Sequence, residues 1–506
     1  MWSCCQSAKR WYSATFGPGS LGAGIVVLTT TAIGTGVLAL PYVLSRLGWL
    51  AGCCAIVALG LLNAASLEAL LEAGEASGAR SYAGLLLQCG RPRAAWLLDL
   101  TVAVDCLGAV TAYWVFVGHL LPPLLLEFLG PLGLPPALAG KPAVLPALAA
   151  LAFLAALPRS ISLLGGCSLL GPCSILYVSA LLAVSAMVGA TGGLDRLPAL
   201  RAATWPPERL CDTASALSVI MFSYVCQFNI FGVSCELERP TRRDLQRLAR
   251  WSTAFQMVCY LSTAICGYLL FGEQTADDIF LSFAPGNVWV DVGRLLVCSS
   301  LCIAIPLNVF PARGAIVGLT SGLFSELCQT QAEACAAAAE GIGDEGHTPQ
   351  PSCMKGLHRV DSDLSGPFLR CGSCGSLCQL AQAAEVGAPA LGEALLAPKV
   401  DGDVGAGEAN SQLLEVMCWE AHAGMAAAIL TSTVTLAFLV PSVSLLMGVV
   451  GGFCGVLQMY VLPGLVLRSC PGLWGPARRL SALVGFATAS AVGFLAVASA
   501  LLGPVR

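Results

Sequence analysis

Residues 29–49 read TTTAIGTGVLALPYVLSRLGW, an apolar run interrupted by Gly34, Thr35 and Gly36 and then, five residues on, by Pro41. The run is long enough to cross a bilayer, yet it carries the residues that weaken a helix most. In hydrocarbon every backbone N–H and C=O must find a partner, so unwound backbone is tolerated only where it faces protein or lines a cavity. Gly-Thr-Gly is therefore either a close-packing face between helices or a break. A second interruption at a corresponding place decides for the break, and residues 216–240, ALSVIMFSYVCQFNIFGVSCELERP, supply it: Ser223, Gln227 and Asn229 precede Gly232, and a charged stretch follows.

The rest of the chain has the composition such a reading needs. Of 506 residues, 56% are hydrophobic and 11% charged, against about a quarter charged in soluble domains, so the chain is a polytopic membrane protein. Apolar runs near 21–47, 49–73, 95–120, 143–157, 165–190, 211–235, 251–272, 288–320, 413–440, 442–467 and 480–503 predict about eleven spans. The opening MWSCCQSAKR carries no removable signal pattern. Lysine and arginine mark the cytoplasmic side of short loops. Lys9, Arg10, Arg80, Arg91, Arg93, Arg159, Arg239, Arg242, Arg243, Arg247, Arg250, Arg468, Arg478 and Arg479 fall on one face; Arg46, Lys141, Arg196, Arg201, Arg209 and Arg506 fall on the other. The N-terminus is thus expected inside and the C-terminus outside. Net charge is −4 with no basic patch, so no nucleic-acid partner is expected. The 24 cysteines, such as Cys53, Cys54, Cys106, Cys266 and Cys454, lie mostly inside apolar runs as small hydrophobes.

The chain divides into a cytosolic segment at 1–20, spans one to eight at 21–320, an insertion at 321–412 and spans nine to eleven at 413–506. The insertion, rich in Ala, Gly, Glu and Ser without periodicity, reads as flexible and cytosolic. Cys371, Cys374, Cys378 and nearby His358 lack a second spaced cysteine pair, so no structural metal is expected there.

The first and sixth segments each open a possible five-helix unit, and paired discontinuities in such positions point to a transport site near the bilayer midplane. The positive end of a half-helix can hold a carboxylate, and freed carbonyls can hold an amino group or a cation. The expected substrate contacts are Thr31, Gly34, Thr35, Gly36, Ser223, Gln227 and Asn229. A zwitterionic amino acid suits both ends.

Residues 32–49, 228–279, 292–316 and 446–467, the last reading LMGVVGGFCGVLQMYVLPGLVL, closely resemble the amino acid/auxin permease family. That family contains the sodium-coupled neutral amino acid transporters and the vacuolar amino acid transporters of plants and fungi. The resemblance implies eleven helices in the five-plus-five inverted-repeat fold of bacterial leucine transporters, with a substrate cradle between the first and sixth helices. It implies a secondary active transporter of neutral amino acids, coupled to protons or sodium, in a vacuolar, endolysosomal or plasma membrane. The fifth and tenth helices are the expected gates. Sodium-coupled members carry an asparagine four residues before the glycine of the break, where this chain has Thr30; the family's eighth-helix hydroxyl is matched by Ser299, with Ser300 beside it. Those two serines either complete an oxygen site for sodium or bond back to their own helix.

Asp105 lies in the third segment, where the family resemblance places an amide. An ionisable group inside a membrane helix is either a proton carrier or a carboxylate held by packing hydrogen bonds. Arg313 is expected to snorkel at a helix end, His422 to sit at the interface beside Glu420 and Glu415, and Tyr113, Trp114 and Phe116 to pack. No Walker A, HExxH or GxSxG motif occurs, so no enzyme is expected. The expected coupling ions are H+ or Na+, with no other cofactor; the lipid bilayer and an amino acid are the expected partners, and the chain is expected to act as a monomer. The alternative is an amino acid sensor signalling through the 321–412 insertion.

Overall fold

The computed structural model describes residues 19–133, 135–158, 170–191, 210–238, 240–340, 419–440 and 442–502. Cys371, Cys374, Cys378, His358, Glu415 and most of the insertion lie outside the described residues, as do Lys9, Arg10, Arg159, Arg196, Arg201, Arg209, Arg239 and Arg506.

The described residues are all-helical outside turns and loops, and each of the eleven expected spans has a helical counterpart. Among the described residues, nine helices are long and apolar enough to cross a membrane. A tenth span is the bent pair Leu21–Ala32 and Gly36–Leu47, which meet at 60°. Lys141–Ala156, where the fourth span is expected, is a shorter apolar helix that does not reach spanning length, so the described residues hold nine or ten spans against the eleven expected. The chain is an integral, multi-pass membrane protein.

The bend in the first segment has a local cause. Gly34 N–H turns back onto the Ala32 carbonyl at 2.8 Å instead of continuing the ladder, and Leu38 N–H restarts it on Thr35 O at 3.0 Å. In the second half, Pro41 lies in a notch left by Gly267 of the seventh segment, Arg242–Phe271: a Cβ on Gly267 would stand 2.6 Å from Pro41 Cγ. The sixth segment is also interrupted, but Thr213–Glu236 remains one span without a sharp bend. Helix Leu210–Tyr224 stops, residues Gln227–Asn229 make a 3₁₀ turn, and Ile230–Glu236 resumes. The seventh begins on a capping box, Thr241 Oγ1 accepting from Asp244 N while the Asp244 carboxylate accepts from Thr241 N, which satisfies two donors that a helix start leaves free.

Around these broken elements the packing is close because glycines replace side chains. The tenth segment, Val443–Ser469, is π-helical over Gly451–Gly455 and Leu457–Val461. Its Gly451 lies against Ser218 and Phe222 of the sixth segment, and its Gly452 against the Gly493 carbonyl of the eleventh, Pro476–Leu502. In a bilayer such small-residue contacts supply the association that water cannot.

The eighth segment departs from expectation. It runs Val288–Glu340 instead of ending near residue 320, so the first twenty residues of the expected flexible insertion continue the helix. The sequence there, QAEACAAAAE, is built from alanine and glutamate, strong helix formers that need no partner.

Candidate functional site

The two breaks are held together by contacts within the protein. A Cβ on Gly36 would fall on Ser223, 3.0 Å from its Cα, so the missing side chain brings the first and sixth backbones into contact. Tyr260 of the seventh segment then clamps both: its hydroxyl donates to the Ser223 carbonyl and lies 3.1 Å from the Ala32 carbonyl. On the other side of the sixth break, Gln227 Nε2 donates to Asn63 Oδ1 of the second segment at 2.6 Å, and Gln227 Oε1 accepts from Cys226 N at 3.0 Å. Sequence reasoning missed Tyr260 and Asn63, because only the fold brings the tyrosine hydroxyl against carbonyls of the first and sixth segments and the asparagine against Gln227.

Beside this clamp opens a cavity of about 920 Å³, within the range of small-molecule sites. It is walled by the first half of the first segment, by Asn229 to Glu236 of the sixth, and by the eighth from Val297 to Arg313, and so lies on the side where the first segment begins and the sixth ends.

The expected site residues divide around it. Thr30, Thr31, Gly34, Thr35, Asn229 and Ser300 line the cavity. Thr35 is 1% exposed, and its hydroxyl has no protein partner. Thr30 and Thr31 instead bond back to Val26 O at 2.7 Å and Val27 O at 3.0 Å. Gly36, Ser223, Gln227, Ser299 and Asp105 do not line the cavity. Gly36 and Ser223 pack on one another, and the Ser223 hydroxyl bonds back to Val219 O at 2.9 Å. Ser299 bonds back to Leu295 O at 2.8 Å. Ser300 bonds to Val297 O and receives Ser174 Oγ of the fifth segment, Leu170–Thr191, at 3.2 Å. Asp105 is buried on the third segment, Pro92–Leu129, beside Gln458 in the π-helical part of the tenth, with Oδ1 unpartnered.

Two expectations for the eighth and ninth segments need correction. Arg313 does not snorkel: it is 1% exposed, lines the cavity and lies over the Phe310 ring at 4.6 Å. His422 is not interfacial: it is buried, lines the same wall and has Nε2 2.6 Å from Arg313 Nη1 and 3.2 Å from Leu157 O. The reason is the length of the eighth helix. Since it continues to Glu340, Arg313 is an interior residue covered by the ninth segment, Trp419–Leu439. Trp114 and Phe116 are fully buried packing residues. Tyr113 reaches the cavity, its hydroxyl 3.3 Å from where a Gly34 Cβ would be.

Residues 17–469 match the family model described as transmembrane amino acid transporter protein. The chain belongs to this family. Its members are transporters, not enzymes. Amino acid transporter AVT6B of Arabidopsis thaliana is 26% identical over 322 residues, covering 60% of this chain and 69% of the relative. Vacuolar amino acid transporter 6 of Saccharomyces cerevisiae is 25% identical over 59% of this chain and 66% of its own length. Vacuolar amino acid transporter 5 of Schizosaccharomyces pombe is 27% identical over 58% and 68%. Among solved structures, the Eremococcus coleocola manganese transporter, crystallised with an aromatic bis-isothiourea substituted compound, aligns at a TM-score of 0.47 and 10% identity, over 96% of this chain and 88% of that one.

Proposed function

We propose that this chain moves amino acids by alternating access, with the substrate held in the cavity beside the first break and the process coupled to protons. The observation that carries the reading is Thr35: a residue at a helix break that lines a cavity of about 920 Å³ and whose buried hydroxyl has no protein partner. A buried hydroxyl left unpaired costs free energy that a ligand would return. The α-amino and α-carboxyl groups of an amino acid match the carbonyls and N–H groups of broken helices. Ile33, Leu38, Val297 and Leu301 give the adjoining wall an apolar surface suited to a neutral side chain. With the arginine-rich face taken as cytosolic, the cavity lies toward the cytosolic end of the first and sixth segments, and the vacuolar relatives support placement in a vacuolar or endolysosomal membrane.

For coupling, protons are favoured over sodium. Ser299 is turned from the cavity and Thr30 bonds back to its own helix, which leaves few free oxygens for a hard cation. Asp105, in contrast, is a buried carboxylate with an unpartnered oxygen inside a membrane helix, a position where ionisable groups serve proton pathways.

The test is uptake of radiolabelled amino acids into proteoliposomes under separately imposed proton and sodium gradients. Saturable uptake of neutral amino acids driven by the pH gradient is the expected result. Accumulation that requires sodium overturns the coupling, and absence of saturable uptake of any amino acid overturns the function.

A further inference from the structure

Arg313 raises a question that a cavity for neutral side chains leaves open. A guanidinium withdrawn from water costs several kcal/mol unless its donors are met, and a charge within a membrane protein marks a substrate or ion path. Here the side chain is 1% exposed, yet none of the ion pairs among the described residues includes it. Nη1 meets His422 Nε2, which a neutral imidazole can present as an acceptor, and the plane rests on Phe310; Nη2 has no partner. Glu236, the carboxylate on the cavity wall, is exposed and forms no ion pair with it. The built site is therefore a buried cation on the cavity wall with one donor that no protein group satisfies.

It shares the cavity wall with the first break. Tyr113 touches the Gly34 position and stands beside Asn308 of the eighth segment. Arg313 follows Asn308 by five residues, roughly 7.5 Å along a helix axis. Gly34, Thr35, Asn308 and Arg313 line one cavity, so a ligand whose α-groups sit at the break shares that cavity with the guanidinium. A carboxylate there would accept from Nη2 in the charge-assisted geometry that arginine favours.

We infer that Arg313 forms an anion subsite at the far end of the amino acid cavity, which admits dicarboxylic amino acids by pairing with their side-chain carboxylate. This rests on the reading of the cavity as an amino acid site. His422 is a positioning residue: it holds Nη1 and leaves Nη2 without a protein partner.

The experiment compares glutamate with its neutral isostere glutamine, as competitors of labelled leucine uptake into proteoliposomes and as stabilisers of the purified full chain in thermal unfolding. In the wild type, glutamate competes at least as strongly as glutamine. In Arg313→Gln the ratio of inhibition constants, glutamate over glutamine, rises roughly tenfold or more, the loss expected for one charge-assisted pair. Arg313→Lys recovers part of that ratio, because it keeps the charge but not the fork. Wild-type protein that binds glutamine well and glutamate tenfold worse overturns the subsite, as does an unchanged ratio in a folded Arg313→Gln. If no amino acid is taken up, the transport reading falls. Thermal stabilisation by glutamate over glutamine then decides the subsite independently, its presence in the wild type supporting it and its absence overturning it.

Discussion

Thr30 and Thr35 carry the same side chain and use it in opposite ways. Thr30 lies in regular helix and donates to the carbonyl four residues back, Val26 O, at 2.7 Å. Thr35 lies in the break, where no helical carbonyl is presented to it, and its hydroxyl is left unpaired in the cavity wall. Thr35→Val keeps the shape and removes the hydroxyl. It should raise the KM for amino acid uptake about 5- to 30-fold, the worth of a hydrogen bond of about 1–2 kcal/mol, without lowering the melting temperature. An unchanged KM would take Thr35 out of the site. Asp105 is argued at the same scale. Asp105→Asn keeps size and hydrogen bonding but cannot exchange a proton, so accumulation driven by a pH gradient should be lost while counterflow exchange of labelled amino acid persists. A mutant that still concentrates substrate when only protons are supplied shows that Asp105 is not the carrier.

Among the elements, the tenth segment has the tightest constraints. Its π-helical turns place Gly451 and Gly452 against the sixth and eleventh segments, and a Cβ on Gly452 would lie 2.8 Å from both Gly493 O and Val497 Cγ2. Gly452→Val should therefore force the eleventh segment away, at about 1–3 kcal/mol or more, read as a lower melting temperature and reduced monodisperse yield in detergent. Gly464→Ala in the same segment is the control: its nearest neighbours stand at 3.8 Å, and it should be neutral or slightly stabilising. Equal stability of the two variants would mean that the close approach is not held in the membrane. The same element borders Asp105 through Gln458, which ties the proposed proton site to a stretch whose hydrogen-bond register is already irregular.

At the scale of the whole molecule, one end is fastened by two buried acids of the second segment, Trp49–Ser77. Glu68 pairs with Arg250 of the seventh segment and Arg478 of the eleventh. Glu72 pairs with Arg242 and accepts from Gln246 Nε2 at 2.8 Å and Trp474 Nε1 at 3.2 Å. The opposite end closes differently: Asp277, between the seventh and eighth segments, accepts from Val443 N at 3.1 Å and so caps the start of the tenth. The carboxylates are buried, but their arginines stay 44–60% exposed, so solvent screens the pairs and limits each one's worth. Glu72→Gln should accordingly destabilise by only about 1–3 kcal/mol, chiefly through unmet buried donors, seen as a lower melting temperature. No change in melting would show that the cluster is not needed for the fold.

What the sequence determined by itself was the membrane class, the eleven segments and the two breaks. Apolar length and the cost of unsatisfied backbone in hydrocarbon are local properties, legible one segment at a time. It also named residues near the break, of which Thr30, Thr31, Gly34, Thr35, Asn229 and Ser300 share one cavity. Tertiary structure decided which way each polar side chain faces. Gln227 and Asn229 are two residues apart, yet one ties the sixth segment to Asn63 and the other lines the cavity. Arg313 read as a helix end because the alanine-rich continuation looked like part of a flexible insertion, whereas the continued helix and the ninth segment across it bury the guanidinium beside His422. Such partners lie about a hundred residues or more away along the chain. Only packing sets their proximity, and no periodicity within one segment encodes it.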